Sequence, residues 1–153
     1  MKKIAVFLLF FILSTMVMPK DSEANVLENL PRTLETKQWK VTVGKPDHSD
    51  QKLNKSIRPA LYNVYSLDIK NIGNENIELV RVEGYKNLPK SASTFYELFT
   101  VENDEDKLLE PSFHHSNFPL DIKATALMVS VTWKHKNSDQ RKFKEQFIFQ
   151  LSK

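Results

Sequence analysis

Residues 127–151, LMVSVTWKHKNSDQRKFKEQFIFQL, decide the fold class. Leu127, Val129, Val131 and Trp133 alternate with Met128, Ser130 and Thr132, and Phe143, Glu145, Phe147, Phe149 and Leu151 return on a matching alternation. Successive side chains of an extended chain point to opposite faces, so each run offers one apolar face to a core and one polar face to water. Lys136 to Gln140 are polar and turn the chain between them. The stretch reads as a long antiparallel hairpin with Trp133 and Phe147 on its buried face.

The same period recurs toward the N-terminus. Trp39, Val41 and Val43 alternate with Lys40 and Thr42; Tyr65, Leu67 and Ile69 oppose Ser66, Asp68 and Lys70; Phe95, Phe99 and Val101 oppose Tyr96 and Leu98. In Ile77 to Val82, IELVRV, the alternation is blurred, which implies burial on both faces or a bulge. Asn71 to Asn76, NIGNEN, supplies residues tolerant of positive φ for a tight reversal. Gly44 to Arg58 reads as a long polar loop, Lys86 to Thr94 as a connection and Glu102 to Asp106 as an acidic turn. Leu108 to Pro119 is expected to be irregular, because Pro111 and Pro119 limit regular pairing. Helical periodicity is missing. The expected fold is therefore an all-β antiparallel sandwich, with a closed barrel as the alternative.

The run Tyr65 to Val82, YSLDIKNIGNENIELVRV, resembles the strand, Asn/Gly turn and strand of bacterial extracytoplasmic immunoglobulin-like modules. Phe118 to Trp133, FPLDIKATALMVSVTW, is similar to their penultimate connection and strand. The resemblance implies an immunoglobulin-like β-sandwich and leaves the ligand open. The cysteine pair of antibody-type domains is absent, since the chain has no cysteine.

The N-terminus carries an address. Lys2 and Lys3 precede the apolar run IAVFLLFFILSTMV from Ile4 to Val17, Pro19 breaks it, and Ser22 and Ala24 stand at the third and first places before a cut after Ala24. This is the pattern of a cleavable secretory signal peptide, and the 14-residue run is short against the ~20 residues a spanning helix requires. An uncleaved anchor is the alternative, and would be the chain's contact with a membrane. The expected organisation is a signal peptide at 1–24, a lead-in arm or short helical turn at 25–36 and the β-sandwich at 37–153. Without cysteine, a lipid anchor through cysteine, disulfides and thiolate metal sites are all excluded. Removing the signal takes three lysines and two acidic residues, so the formal charge of +3 falls to +2. That surplus does not make the concentrated basic face a nucleic-acid binder needs.

Chemistry-bearing clusters are few. His114 and His115, with Asp121 nearby, are the one group resembling a metal or acid/base cluster, and adjacent residues of an extended segment point to opposite sides. With only His48 and His135 besides, three or four ligands are hard to assemble, and solvated loop histidines are the expected reading. No Gly-x-Ser-x-Gly turn, calcium-loop spacing or glycine-rich phosphate loop occurs. Neither catalysis nor a cofactor is expected. Lys134, Lys136, Arg141, Lys142 and Lys144 gather near the hairpin turn, with Asp139 and Glu145 as offsets. They suit contact with an anionic envelope polymer or an acidic protein partner. The expected reading is that these lysines keep an exposed strand soluble and guard it against edge pairing. Tyr62, Tyr85 and Tyr96 would form a recognition surface if they shared one exposed face. The expected function is that of a secreted β-sandwich acting as a binding or interaction module. The alternatives are a small extracellular enzyme or metal-dependent protein centred on His114 and His115, or a structural component of the cell envelope.

Overall fold

A computed structural model describes residues 26–47, 58–91, 94–103, 111–136 and 141–152. Eight strands follow in order: β1 (Arg32–Glu35), β2 (Trp39–Gly44), β3 (Tyr62–Asn71), β4 (Ile77–Asn87), β5 (Phe95–Glu102), β6 (Ser112–Asp121), β7 (Ala126–His135) and β8 (Lys142–Gln150). A single 3-10 turn, Pro89–Ser91, is the only helical element among the described residues. The strands make two four-stranded sheets, in the orders β1-β2-β3-β6 and β5-β4-β7-β8, and every pairing is antiparallel.

The inner faces follow the period of two. Trp39, Val41, Val43, Tyr65, Leu67, Ile69, Phe118 and Leu120 of the first sheet are buried against Leu79, Val82, Leu127, Val129, Val131 and Phe149 of the second. Trp133 and Phe147 lie in this core at 6% and 3% exposure, as their alternation requires. The two tryptophans, one from each sheet, meet edge to face with ring centroids 5.7 Å apart. This two-sheet arrangement is the sandwich and not the closed barrel.

The blurred run at Ile77 holds a bulge. Leu79 pairs with Trp133 and Arg81 with Thr132, leaving Val80 between them unopposed. A second irregularity overturns the expected faces of β5. Glu97 pairs with Tyr85 and Phe99 with Gly84, so Leu98 is the extra residue, and both Leu98 and Phe99 pack against the core. Strand β4 also runs on to Asn87, taking the first two residues of the expected connection, because it pairs with β5 on one side and β7 on the other. Gly84 has a packing reason within it: a Cβ there would overlap the Phe99 ring.

Three further expectations give way. Asn71 to Asn76 does not close a hairpin; it carries the chain from β3 in one sheet to β4 in the other. No described glycine has positive φ. Gly73 is instead required by close approach, since a Cβ would come within 2.7 Å of both the Lys37 carbonyl and Gln38 Oε1. The Gln38 amide holds this crossover by donating to Asn71 Oδ1 and to the Asn74 carbonyl at 2.5 and 3.0 Å. Leu108 to Pro119 is not irregular over its described part, because β6 is an edge strand bonded to β3 alone. An edge tolerates the absence of an N–H at Pro119. Lastly, the described part of the expected lead-in arm, 26–36, is no helical turn and is tied into the fold. Thr33 and Leu34 of β1 pair with Thr42 and Val41, and Val26 exchanges backbone hydrogen bonds with Ser152. Four residues of strand are too short to show a period in sequence.

The signal-peptide reading of residues 1–24 falls outside the described residues. So do most of the long polar loop, Asp104 to Asp106 of the acidic turn and the hairpin tip at 137–140. No described helix is long and apolar enough to cross a membrane.

Candidate functional site

Alternation places the outer face of the second sheet as firmly as its core. Opposite the buried Leu127, Val129, Val131 and Trp133 stand Met128, Ser130, Thr132 and Lys134. The register brings Glu78, Arg81, Glu83 and Tyr85 of β4 beside them on one flank, and Lys142, Lys144 and Gln146 of β8 on the other. Charge is divided across this face. Glu97 and Glu102 lie toward β5, and the lysines lie toward β8.

Each of the five basic residues expected at the hairpin has a distinct setting. Lys134 pairs with Glu78 at 3.3 Å and Lys144 with Glu83 at 2.9 Å. Lys142 is directly opposite Lys134 and makes no ion pair among the described residues. Like charges placed opposite one another across an antiparallel pair repel. The Arg141 guanidinium lies 5.1 Å from the centroid of the Phe143 ring, and Lys136 is exposed just beyond the end of β7. The structure thus brings Lys134, Lys142 and Lys144 onto one face, with Lys136 and Arg141 where the two strands enter the turn.

Glu83 is the residue that sequence reading missed. Its side chain is only 8% exposed although it is on the outer face. The Tyr85 hydroxyl donates to one of its oxygens at 2.6 Å, Lys144 binds the other, and Arg81 approaches to 3.8 Å while also pairing with Glu102. Burial raises the Glu83 pKa, but the Tyr85 hydroxyl and the Lys144 and Arg81 charges outweigh it and hold the carboxyl below its usual value. The reciprocal effect pushes the Tyr85 phenol up to about 12, chiefly because its proton is held by Glu83. Arg81, Glu83 and Tyr85 are spaced by two in the sequence. That spacing was a usable signal, but the neighbours that make them a cluster come from strands about 50 and 60 residues away. A surface groove of about 300 Å³ opens beside them, lined by Arg81, Glu83, Thr132, Lys142 and Lys144, with Phe143 as an apolar wall.

The histidines lie on a strand and not in the expected loop, as neighbours on β6 that face opposite ways, and of the two only His114 is solvated. His114 points outward, with Nδ1 2.8 Å from Asp68 Oδ1 and Nε2 3.9 Å from Asp47 Oδ2. His115 points inward against Phe99, Phe113 and Phe118, with ring centroids 5.0, 6.4 and 5.9 Å away. Asp121 is six residues along the strand, roughly 20 Å at the usual rise. It pairs with Lys86 at 3.4 Å, not with the histidines. No group of three or more metal-ligating side chains occurs among the described residues. The tyrosines are also separated: Tyr62 belongs to the first sheet, while Tyr85 and Tyr96 belong to adjacent strands of the second with side chains on alternate faces.

His115 yields a pH prediction. Burial among the aromatic rings, and secondarily the neighbouring His114, lower its pKa. The unfolded chain therefore takes up a proton near pH 6.5 that the folded chain resists, so stability is full above that pH and declines as pH falls below it. The urea midpoint of the wild type should drop between pH 7.5 and 5.5 by more than that of a His115→Gln variant. Equal declines would show that His115 is not responsible.

Comparison with known proteins places these features in a family. Residues 23–153 match the family described as YozF-like secreted protein. A Bacillus subtilis (strain 168) relative, the uncharacterized protein YozF, is 32% identical over 134 residues, and the match covers 78% of each chain.

Proposed function

Since the chain belongs to the YozF-like secreted protein family, we propose that it is a non-catalytic binding module whose outer β4-β7-β8 face contacts an anionic polymer of the cell envelope. The protein is secreted and is built as a two-sheet antiparallel sandwich. The strand order supports the finer, immunoglobulin-like reading. Strands β2, β3 and β6 correspond in order to the first, second and fifth strands of that fold, and β4, β7 and β8 to the strands of its opposite sheet.

The observation that carries the proposal is the direct opposition of Lys134 and Lys142, with Lys144 next along the same face. Like charges opposed across the β7-β8 ladder repel, and among the described residues only Lys134 and Lys144 of the three have carboxylate partners. An anionic chain laid across β7 and β8 relieves that repulsion and reaches Lys136 and Arg141 at the turn. The same lysines also guard the edge strand β8, whose Glu145 points toward the core side as a second obstacle to strand addition. One set of charges serves both purposes.

Long-chain polyphosphate is the test polymer. It should bind the protein at low ionic strength and dissociate progressively between about 50 and 500 mM salt, because the attraction is electrostatic and screened. Binding that is absent at low salt, or that ignores salt, would remove the electrostatic reading.

A further inference from the structure

We propose that the groove beside Glu83 is a phosphate subsite in which the Glu83 carboxylate stands in for a phosphate group of the bound polymer. This deepens the basic-face reading and rests on it. The groove gathers donors from three strands: Arg81 from β4, the Thr132 hydroxyl from β7, and Lys142 and Lys144 from β8. Lys142 and Lys144 are two residues apart on one face, about 7 Å along the strand. Three cations and a hydroxyl thus line a volume of about 300 Å³ that contains one carboxylate. That volume lies at the small end of ligand sites and suits a phosphodiester unit with its flanking groups.

The choice of phosphate follows from the directions of approach. A carboxylate presents two oxygens in one plane, and Glu83 already uses both, one for Tyr85 and one for Lys144. Donors arriving from three neighbouring strands match an anion with oxygens on several sides. Arg81 supplies the planar fork and the lysines supply point charges, the two usual means of holding phosphate.

Glu83 has a second effect. Being almost wholly buried and held by the Tyr85 hydroxyl, it cannot swing away as an exposed glutamate would. It keeps Arg81 and Lys144 aligned toward the groove while neutralising part of their charge. The carboxylate therefore preorganises the donors and competes with the ligand at once. Lys142, without an ion pair among the described residues, is the cation that the incoming phosphate meets first.

The experiment titrates the full secreted chain with long-chain polyphosphate, with polyglutamate as a carboxylate polymer and dextran as a neutral one. Glu83→Gln keeps the shape of the side chain and removes its charge. It should tighten polyphosphate binding about tenfold and steepen the salt dependence, as Lys144, released from Glu83, adds to the contact while Arg81 keeps Glu102. Lys142→Ala, an exposed position, should weaken binding about tenfold in both the wild-type and Glu83→Gln backgrounds. If polyphosphate binds the wild type but Glu83→Gln binds no tighter, the subsite proposal fails and the basic-face reading stands. If neither protein binds, the basic-face reading fails. An equal gain for polyglutamate overturns the assignment to phosphate, and an unchanged Lys142→Ala places the contact outside this groove. Circular dichroism of each variant establishes that it is folded. Should Glu83→Gln not fold, Thr132→Val decides, since Thr132 lines the groove and is no part of the basic face: weaker binding upholds the subsite and unchanged binding overturns it.

Discussion

Replacing Trp133 by alanine should cost the domain about 3–5 kcal/mol, the range for deleting a large aromatic side chain from a close-packed interior. The ring is 6% exposed and is held between two others. Trp39 meets it edge to face at 5.7 Å from the opposite sheet, and Phe143 stacks on it at 5.8 Å with an interplanar angle of 25°. Its removal empties space on both sides and breaks one of the aromatic contacts that join the two sheets. Small domains hold about 5–15 kcal/mol in all, so this loss is a large share of the total. The urea midpoint should fall by more than about 1 M, followed by the fluorescence of the remaining Trp39. Trp133→Phe should recover part of the loss. A loss below about 1 kcal/mol for the alanine variant would contradict the packing described here.

Asn87→Ala should be the most damaging polar substitution, at about 2–4 kcal/mol, because it strands several donors at once. Asn87 is 6% exposed at the end of β4. Its Oδ1 accepts from the backbone N–H of Ala126 at 2.7 Å, from the Thr125 hydroxyl at 2.7 Å and from the Thr125 N–H at 3.2 Å. These bonds pin the entry of β7 to the exit of β4, where the ladder between the two strands begins. Alanine leaves the Ala126 N–H buried with no acceptor, and an unmet buried donor costs its full desolvation. Asn87→Asp retains the accepting oxygen and should cost distinctly less. Matching losses for the two variants, measured by urea denaturation at pH 7, would show that the lost amide group matters more than the oxygen.

The two residues differ in how far sequence could reveal them. Trp133 was legible, because it closes a run of four apolar residues spaced by two, and that spacing forces all four to one face. Asn87 was not. It sits where turn chemistry and strand chemistry use the same residue type, and a polar residue beside Pro89 reads as a connection. Its acceptor role exists only because Thr125 and Ala126, some 40 residues later, are folded against it. The face of β5 failed for a related reason. A single extra residue, Leu98, shifts the phase of everything after it, and nothing in the local composition marks where such a residue falls.

The candidate site divides in the same way. The basic residues of the hairpin were legible as a group, since a hairpin is a local object and its register follows from alternation about one turn. Glu83 and Arg81 were not legible as their neighbours, and without those two residues the site is a row of solvated lysines. His114 and His115 show the converse. Their opposite orientation follows from strand geometry alone, but the carboxylates of Asp47 and Asp68 and the rings of Phe99 and Phe118 are brought to them by the fold.

By itself, then, the amino-acid order determined the strands with clean alternation, the core face of the C-terminal hairpin, the export signature at the N-terminus and the absence of cysteine chemistry. These depend on spacing within about ten residues or on residue type, and period two is a property of the extended chain. Only the tertiary structure decided that Asn71 to Asn76 crosses between sheets, that the segment before β2 is woven in as β1, and that β4 lies beside β7. Strand adjacency is set by which apolar faces meet to exclude water and by which edges still have unpaired N–H and C=O groups. Those are contests between segments distant in the chain. The groove at Glu83 is one of their outcomes, with its cations supplied by β4 and β8 and its hydroxyl by β7.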